Sequence, residues 1–245
     1  MYSKSSMIAT VLTCLAATLL LPSCGSLLPW HNEPVGQEVN LVFTLEKNVV
    51  VLPSATIDGR AGRFLFGSAE PRTLIDPKFS RSMAHTLQLS EKESLRLPSV
   101  DVDLHGVADA IIGGDVWGSH AITLDYTSGV LTYQREGIHP ELMTIYPFGD
   151  EPMVTVLIDG RSVAAVVDSA SPDTLILPRG NDKAERRNAH VQVANTDFGM
   201  INVRLANVST ARIGNRILSK FLITIDYGKH RVGLFRDPRI SLSPS

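Results

Sequence analysis

Residues 154–177 have the sequence Val-Thr-Val-Leu-Ile-Asp-Gly-Arg-Ser-Val-Ala-Ala-Val-Val-Asp-Ser-Ala-Ser-Pro-Asp-Thr-Leu-Ile-Leu. Two strand-like runs flank Asp159-Gly160, a pair that suits a two-residue hairpin turn because glycine accepts positive φ without a steric cost. The second run, residues 162–167, is apolar on both faces, which predicts a buried strand. A further short strand is predicted at 174–177. This segment therefore predicts a hairpin that presents Asp168 in a loop at the end of a buried strand.

The chain repeats this unit: shifted by 101 residues, the sequence aligns with itself, and Gly67 falls opposite Asp168. The aligned segments are 56–60 with 157–161, 67–77 with 168–178, 112–113 with 213–214, and 122–126 with 223–227. Because widely separated matches share one shift, they indicate an internal duplication rather than chance. Short strands between turn residues predict an all-β fold in both copies.

The duplication divides the chain into two similar lobes joined by a linker rich in glycine and proline. The stretch around residues 80–89 could hold one short helix, and helix is otherwise scarce. The predicted segments are a signal peptide at 1–23, a tether at 24–39, lobe one at 40–136, the linker at 137–149, lobe two at 150–237 and a C-terminal tail at 238–245.

The N-terminal segment resembles a bacterial lipoprotein signal. An apolar run from Met7 to Leu21 is followed by Pro22, Ser23 and Cys24, and its length suits a signal peptide better than a membrane span. The resemblance implies that Cys24 is lipidated and, because Gly25 follows it, that the protein is anchored in the outer membrane facing the periplasm. An ordinary cleaved signal and an uncleaved anchor remain open alternatives.

Composition excludes several other classes of function. The only cysteines, Cys14 and Cys24, lie in or next to the signal segment, so no disulfide is expected in the mature protein. A net charge of −2 argues against nucleic-acid binding. The seven histidines show no metal-ligand spacing, and we expect neither a metal nor a cofactor.

The hairpin of residues 154–177 resembles the active-site hairpin of retroviral-type aspartic proteases, in which an acid, a hydroxyl residue and small residues follow an apolar strand. Residues 111–113 and 212–214 resemble the second signature of that family, an aliphatic pair followed by glycine. The resemblance covers both lobes and implies two retropepsin-like lobes with a peptide-binding cleft between them. It also implies that Asp168 is the catalytic acid, supported by Ser169, Ala170 and Ser171. Ser169 would tie its loop to the partner loop, and Ala170 stands where the family prefers glycine.

Lobe one lacks the matching acid, because Gly67 aligns with Asp168 while Ser68 and Ala69 keep the rest of the loop. Aspartic proteases use two facing carboxylates that share one proton, so a single aspartate leaves the site incomplete. Three interpretations follow. Another acid, with Glu70 nearest, supplies the second carboxyl; two chains pair so that Asp168 meets its own copy in a homodimer; or the chain binds a peptide or protein ligand and has lost the reaction. The last, a pseudoenzyme in the cell envelope, is the expectation, and an active aspartic endopeptidase is the alternative.

Overall fold

The structure, a computed structural model, describes residues 38–82, 84–90, 94–97, 100–118, 120–134, 141–238 and 240–242. The predicted signal peptide, Cys24 and most of the predicted tether lie outside these ranges. Within the described part of the chain, no helix is long and apolar enough to span a membrane.

Lobe one is built from short strands because its apolar residues alternate over runs of only two to five residues, each ended by a turn. Its strands are β1 (Val39–Val42), β2 (Thr44–Glu46), β3 (Val49–Val51), β4 (Thr56–Ile57), β5 (Arg60–Ala61), β6 (Phe64–Phe66), β7 (Leu74–Ile75), β8 (His85–Gln88), β9 (Ser94–Leu97), β10 (Val100–Asp101), β11 (Ala110–Ile112), β12 (Ala121–Asp125) and β13 (Val130–Gln134). A one-turn 3-10 helix (Gly114–Val116) follows β11.

Lobe two repeats this plan with longer strands. After β14 (Thr144–Pro147), these strands are β15 (Met153–Ile158), β16 (Arg161–Val167), β17 (Leu175–Pro178), β18 (Arg186–Val193), β19 (Thr196–Ala206), β20 (Ala211–Ile213), β21 (Leu222–Asp226) and β22 (Arg231–Phe235). The short helix α1 (Asn215–Leu218) follows β20, as the 3-10 helix follows β11. The predicted linker contains β14, which pairs antiparallel with β22.

Each lobe contains a sheet that supports its loop. In lobe one, β6 lies between β11 and β3 in the order β10-β7-β11-β6-β3-β2, and β4, β5, β8 and β9 form a second small sheet. In lobe two, β15-β16-β20-β17-β19-β18 close into a barrel. Strand β6 runs parallel to β11, and β16 runs parallel to β20. The strand before each loop is therefore held from the side by the strand that carries the second signature.

A six-stranded antiparallel sheet, β1-β13-β12-β21-β22-β14, joins the lobes. At its centre Thr123 of β12 pairs with Thr224 of β21, its own equivalent in the repeat, and the two hydroxyl oxygens are 2.8 Å apart. An approximate two-fold axis therefore passes between these residues. The predicted all-β fold of two duplicated lobes is confirmed.

One buried apolar cluster extends through both lobes, because the inward faces of both sets of strands are aliphatic or aromatic. It includes Phe64 and Phe66 of β6, Ile112 of β11, and Val167 and Ile213 in the equivalent lobe-two strands. Removal of these apolar side chains from water is the main driving force for the fold.

The predicted helix at residues 80–89 is wrong, since the structure has strand β8 there. His85 and Leu87 are buried while Thr86 and Gln88 are exposed. This alternation has the two-residue period of a half-buried strand, and it is too short to distinguish from a helix by sequence alone.

Candidate functional site

The two repeated loops meet across the approximate two-fold axis through Ser68 and Ser169. The backbone N–H of Ser68 donates to Ser169 Oγ at 2.9 Å, and the N–H of Ser169 donates to Ser68 Oγ at 3.0 Å. The Ser68 hydroxyl donates to the carbonyl of Val167, and the Ser169 hydroxyl donates to that of Phe66, both at 2.6 Å. Both serines are buried. The predicted tie between the loops is thus present, with the loops tip to tip.

The strand carrying the second signature fixes each loop through backbone contacts. The N–H of Gly67 donates to the carbonyl of Ile112, and the N–H of Asp168 donates to that of Ile213, both at 3.0 Å. The glycines that follow pack directly against the loops. A Cβ atom on Gly113 would lie 2.4 Å from the carbonyl carbon of Arg72, and one on Gly214 would lie 2.3 Å from an oxygen of the loop backbone. The backbones of strand and loop therefore approach each other closely at both glycines.

The carboxylate of Asp168 lies where the two loops meet. Its Oδ1 accepts from the N–H of Ala170 at 3.1 Å, and its Oδ2 accepts from Nη1 of Arg212 at 3.0 Å. The Asp168 side chain is 11% exposed, and that of Arg212 is 32% exposed. The nearest charge to the candidate catalytic acid is therefore a guanidinium.

Arg212 occupies the position that Ile111 occupies in lobe one. On each of these strands the flanking residues, such as Ile112 and Ile213, are buried in the core, so the middle residue faces the loop. A Cβ on Gly67 would lie 2.4 Å from Cγ2 of Ile111. The half-site of lobe one therefore has Gly67 beside Ile111, while the half-site of lobe two has Asp168 beside Arg212.

Sequence reasoning missed the role of Arg212. The second signature rests on the glycine and one aliphatic residue, and the repeat alignment places Arg212 at the position of Ile111 without indicating a contact with Asp168. A signal was available, because a charged residue at the aliphatic position of one repeat only marks a difference between the two half-sites.

Glu70 covers the position of the missing acid. Its Cγ and Cβ lie 3.2 and 3.4 Å from where a Cβ of residue 67 would be. The pKa of the Glu70 carboxyl is raised, first by burial and then by the negative charges of Asp168 and Glu151, while Arg212 partly offsets these effects. Glu70 is thus electrostatically coupled to Asp168.

Other acids of the repeat have structural partners. Asp173, on the far side of the second loop, pairs with Arg204 at 2.9 Å. Asp125 and Asp226 accept hydrogen bonds from backbone N–H groups of the turns that follow them. The carbonyl oxygen of Ser171 accepts a hydrogen bond from the backbone N–H of Asn215. Ala69, the neighbour of Ser68 in the first loop, is buried. Among the described residues, no group of three or more His, Cys, Asp or Glu side chains could hold a metal ion.

We expect Glu70→Gln to stabilise the protein at neutral pH. The folded state raises the pKa of Glu70, so ionisation of this carboxyl group lowers the stability of the folded protein. Below the ordinary pKa of a glutamate the group is protonated in both states and costs nothing. The cost appears as pH rises from the ordinary pKa through the raised pKa of the folded state. The gain from glutamine should therefore be present at pH 7 and vanish below about pH 4. Urea denaturation of both proteins across this range measures it.

Glu185→Gln is the matched control, since Glu185 is exposed. The urea concentration at the unfolding midpoint of Glu185→Gln should differ little from that of wild type at any pH. A loss of stability in Glu70→Gln at pH 7 would mean that the carboxylate makes a favourable contact in the folded protein, contrary to the expected effect.

We expect Gly67→Asp alone to destabilise the protein by about 2 kcal/mol, because its Cβ overlaps the Ile111 side chain and overpacking has costs of this size. Adding Ile111→Ala should recover part of this loss, giving a non-additive pair in a double-mutant cycle of urea unfolding. Strictly additive losses would show that the clash with Ile111 does not set the cost.

Comparisons with known proteins give a structural neighbour and no sequence relative. No family model matches the chain, and no curated protein matches it. The crystal structure of an aspartic proteinase from Irpex lacteus superimposes with a TM-score of 0.57 and 11% sequence identity, over 85% of this chain and 100% of that chain. At this sequence identity the similarity shows a pepsin-like fold only, and any activity has to be inferred from the residues of the site.

Proposed function

We propose that this protein uses its pepsin-like fold to bind peptides, or extended segments of proteins, without cleaving them. The observation that carries the proposal is the ion pair at the centre of the site, where Asp168 faces Arg212 at 3.0 Å. An aspartic protease needs a second carboxyl group at this point.

The chemistry of the pair argues against proteolysis. In an aspartic protease one carboxylate accepts a proton from water while a carboxylic acid donates one to the scissile carbonyl. Arginine keeps its proton in proteins, so Arg212 cannot share a proton with Asp168 or deliver one to a substrate. At Gly67 no acid is present, and Ile111 fills the space beside it.

Ligand binding is supported by what the duplication retains. The loops, their reciprocal serine bonds and the glycines behind them are all in place, although the catalytic pair is not. We propose that an extended peptide lies in a cleft between the lobes and pairs with strand edges, a common mode of peptide recognition.

The proposed location is the bacterial cell envelope, with a lipid on Cys24 holding the protein at the outer membrane. This rests on the sequence of residues 7–25, which lies outside the described part of the chain. Replacing Cys24 with alanine should release the protein from the membrane fraction, and retention of the variant there would contradict the lipid anchor.

A second candidate is an active endopeptidase in which Glu70 supplies the second carboxyl. The raised pKa of Glu70, caused first by burial and then by the charge of Asp168, favours this alternative, since the reaction needs one protonated carboxyl group together with a carboxylate. Against it, Arg212 is closely paired with Asp168. A homodimeric site is less well supported, because pairing with a second chain would break the four hydrogen bonds of Ser68 and Ser169.

The deciding experiment incubates the protein with a peptide library from about pH 3 to about pH 7, the range in which carboxyl groups titrate. Wild type, Asp168→Asn and Glu70→Gln are compared, and both cleavage and peptide retention are measured. We expect retention without cleavage in wild type, and retention in Asp168→Asn. Cleavage that disappears in both variants would replace this proposal with the Glu70–Asp168 endopeptidase.

A further inference from the structure

A buried amide of lobe two, that of Asn215, links the second loop to residues of lobe one. Asn215 has no exposed surface. Its Oδ1 accepts from the Tyr126 hydroxyl at 2.7 Å, and its Nδ2 donates to the carbonyls of Ser169 at 2.6 Å and Asn48 at 2.8 Å. The planar NH2 group of this side chain therefore satisfies the carbonyl of the loop.

Lobe one lacks this amide, because the repeat places Gly114 at the position of Asn215. Two of the three partners of Asn215, Tyr126 and Ser169, have equivalents beside Gly114. Tyr227 corresponds to Tyr126, Ser68 corresponds to Ser169, and the Tyr227 hydroxyl donates directly to the Ser68 carbonyl over a longer 3.3 Å. Gly114, Ser68 and Tyr227 border a cavity of 220 Å³.

The cavity has room for a planar group. A Cβ on Gly114 would lie 3.5 Å from the Tyr227 ring, an ordinary van der Waals distance. Burial raises the pKa of the Tyr227 hydroxyl, so this group stays protonated. The Ser68 carbonyl has a second lone pair that can accept another donor.

The charged residues lining the cavity are all acidic: Glu70, Asp115, Asp150 and Glu151. None of the described lining residues is basic. Both oxygens of Asp115 already accept hydrogen bonds from Thr73, which leaves the other three carboxylates for a ligand. Asp150 is exposed, so the cavity is reached from the surface on that side.

We infer that this cavity binds the guanidinium group of an arginine side chain in the bound peptide. One planar N–H edge would donate to the Ser68 carbonyl, as Asn215 donates to Ser169. The remaining N–H groups would face the carboxylates of Glu70 and Glu151, and charge-assisted bonds to a planar fork are the strongest that arginine makes. A lysine ammonium lacks the planar donor edge, and a neutral amide lacks the charge.

This inference rests on the proposed function, since it names the side chain that the peptide site selects. It also sets a pH dependence. The pKa of Glu70 is raised by burial and by the charges of Asp168 and Glu151, an effect that Arg212 partly offsets. Arginine binding should therefore weaken as pH falls and Glu70 becomes neutral.

The test measures binding of N-acetyl-arginine amide to the full chain in detergent by calorimetry. Two probes of similar size are compared with it: the citrulline analogue, which has the same planar shape without the charge, and the lysine analogue. We expect both to bind at least about tenfold more weakly, because each lacks one element of a charge-assisted planar contact.

Two variants link the binding to the cavity. Gly114→Asn places an amide in the cavity, as in lobe two, and should weaken arginine binding at least about tenfold while the melting temperature is maintained. Glu151→Gln keeps the shape and removes one charge, and should weaken it several-fold. Glu185→Gln removes an exposed charge elsewhere and should leave binding unchanged.

Equal binding of the arginine and citrulline probes, or of the arginine and lysine probes, would overturn the inference. Unchanged arginine binding in both Gly114→Asn and Glu151→Gln would also overturn it. If Gly114→Asn does not fold, unchanged binding in Glu151→Gln alone overturns the inference. Peptides that lack arginine are measured on the same samples. If they are retained equally well, the inference fails while the proposed function stands, whereas cleavage by wild type contradicts the proposed function alone.

Discussion

Gly214→Ala is expected to destabilise the protein by about 3 kcal/mol or more, at the upper end of the cost of overpacking. The added methyl would lie 2.3 Å from the carbonyl oxygen of Asp173 and 2.9 Å from that of Ser171. Both are backbone atoms, so no side-chain rotation can relieve the overlap, and the loop that holds Asp168 has to move. Urea denaturation followed by circular dichroism measures the loss.

Gly149→Ala is the matched control. A Cβ there meets no atom within 4 Å, and we expect a change within about 0.5 kcal/mol, as for ordinary surface substitutions. Equal midpoints for Gly214→Ala and wild type would show that the strand and the loop are not packed as closely as described.

Arg212→Ile, which gives lobe two the residue of lobe one, is expected to cost about 2 kcal/mol. It removes the partner of a nearly buried carboxylate, and losing one member of such a pair leaves an uncompensated charge. The cost is reduced by the partial exposure of Arg212, since water screens the pair. Equilibrium unfolding at pH 7 gives the value.

A double-mutant cycle isolates the contribution of the charge. Asp168→Asn in the Arg212→Ile background should recover much of the lost stability, because the buried charge is gone. If the double variant is as unstable as the sum of the single variants, the two side chains do not interact. The Arg212→Ile protein should also be assayed for cleavage, since it removes the guanidinium that separates the chemistry of this site from that of a protease.

The duplicated fold was predictable because the repeat is local information. Each half contains a hairpin turn at Asp-Gly, an apolar strand and a loop of small residues, and the constant shift relates the two halves without knowledge of any contact. The same shift aligns Ser68 with Ser169 and Gly67 with Asp168; in the structure the two serines lie opposite each other, and Gly67 and Asp168 make equivalent backbone hydrogen bonds to Ile112 and Ile213. The predicted helix at 80–89 failed because a short stretch lacks the length over which the two periods separate.

The sequence by itself determined the all-β duplication and the replacement of the loop acid by Gly67 in lobe one, because both follow from residue types aligned at one shift, and the resemblance to aspartic proteases implied that the two loops meet. Only the tertiary structure decided what surrounds Asp168. Arg212 lies 44 positions along the chain from it, and Glu70 turns back over Gly67. Which side chains meet there depends on the faces of the strands and on the turn of the loop, and the pairing of strands in space sets both.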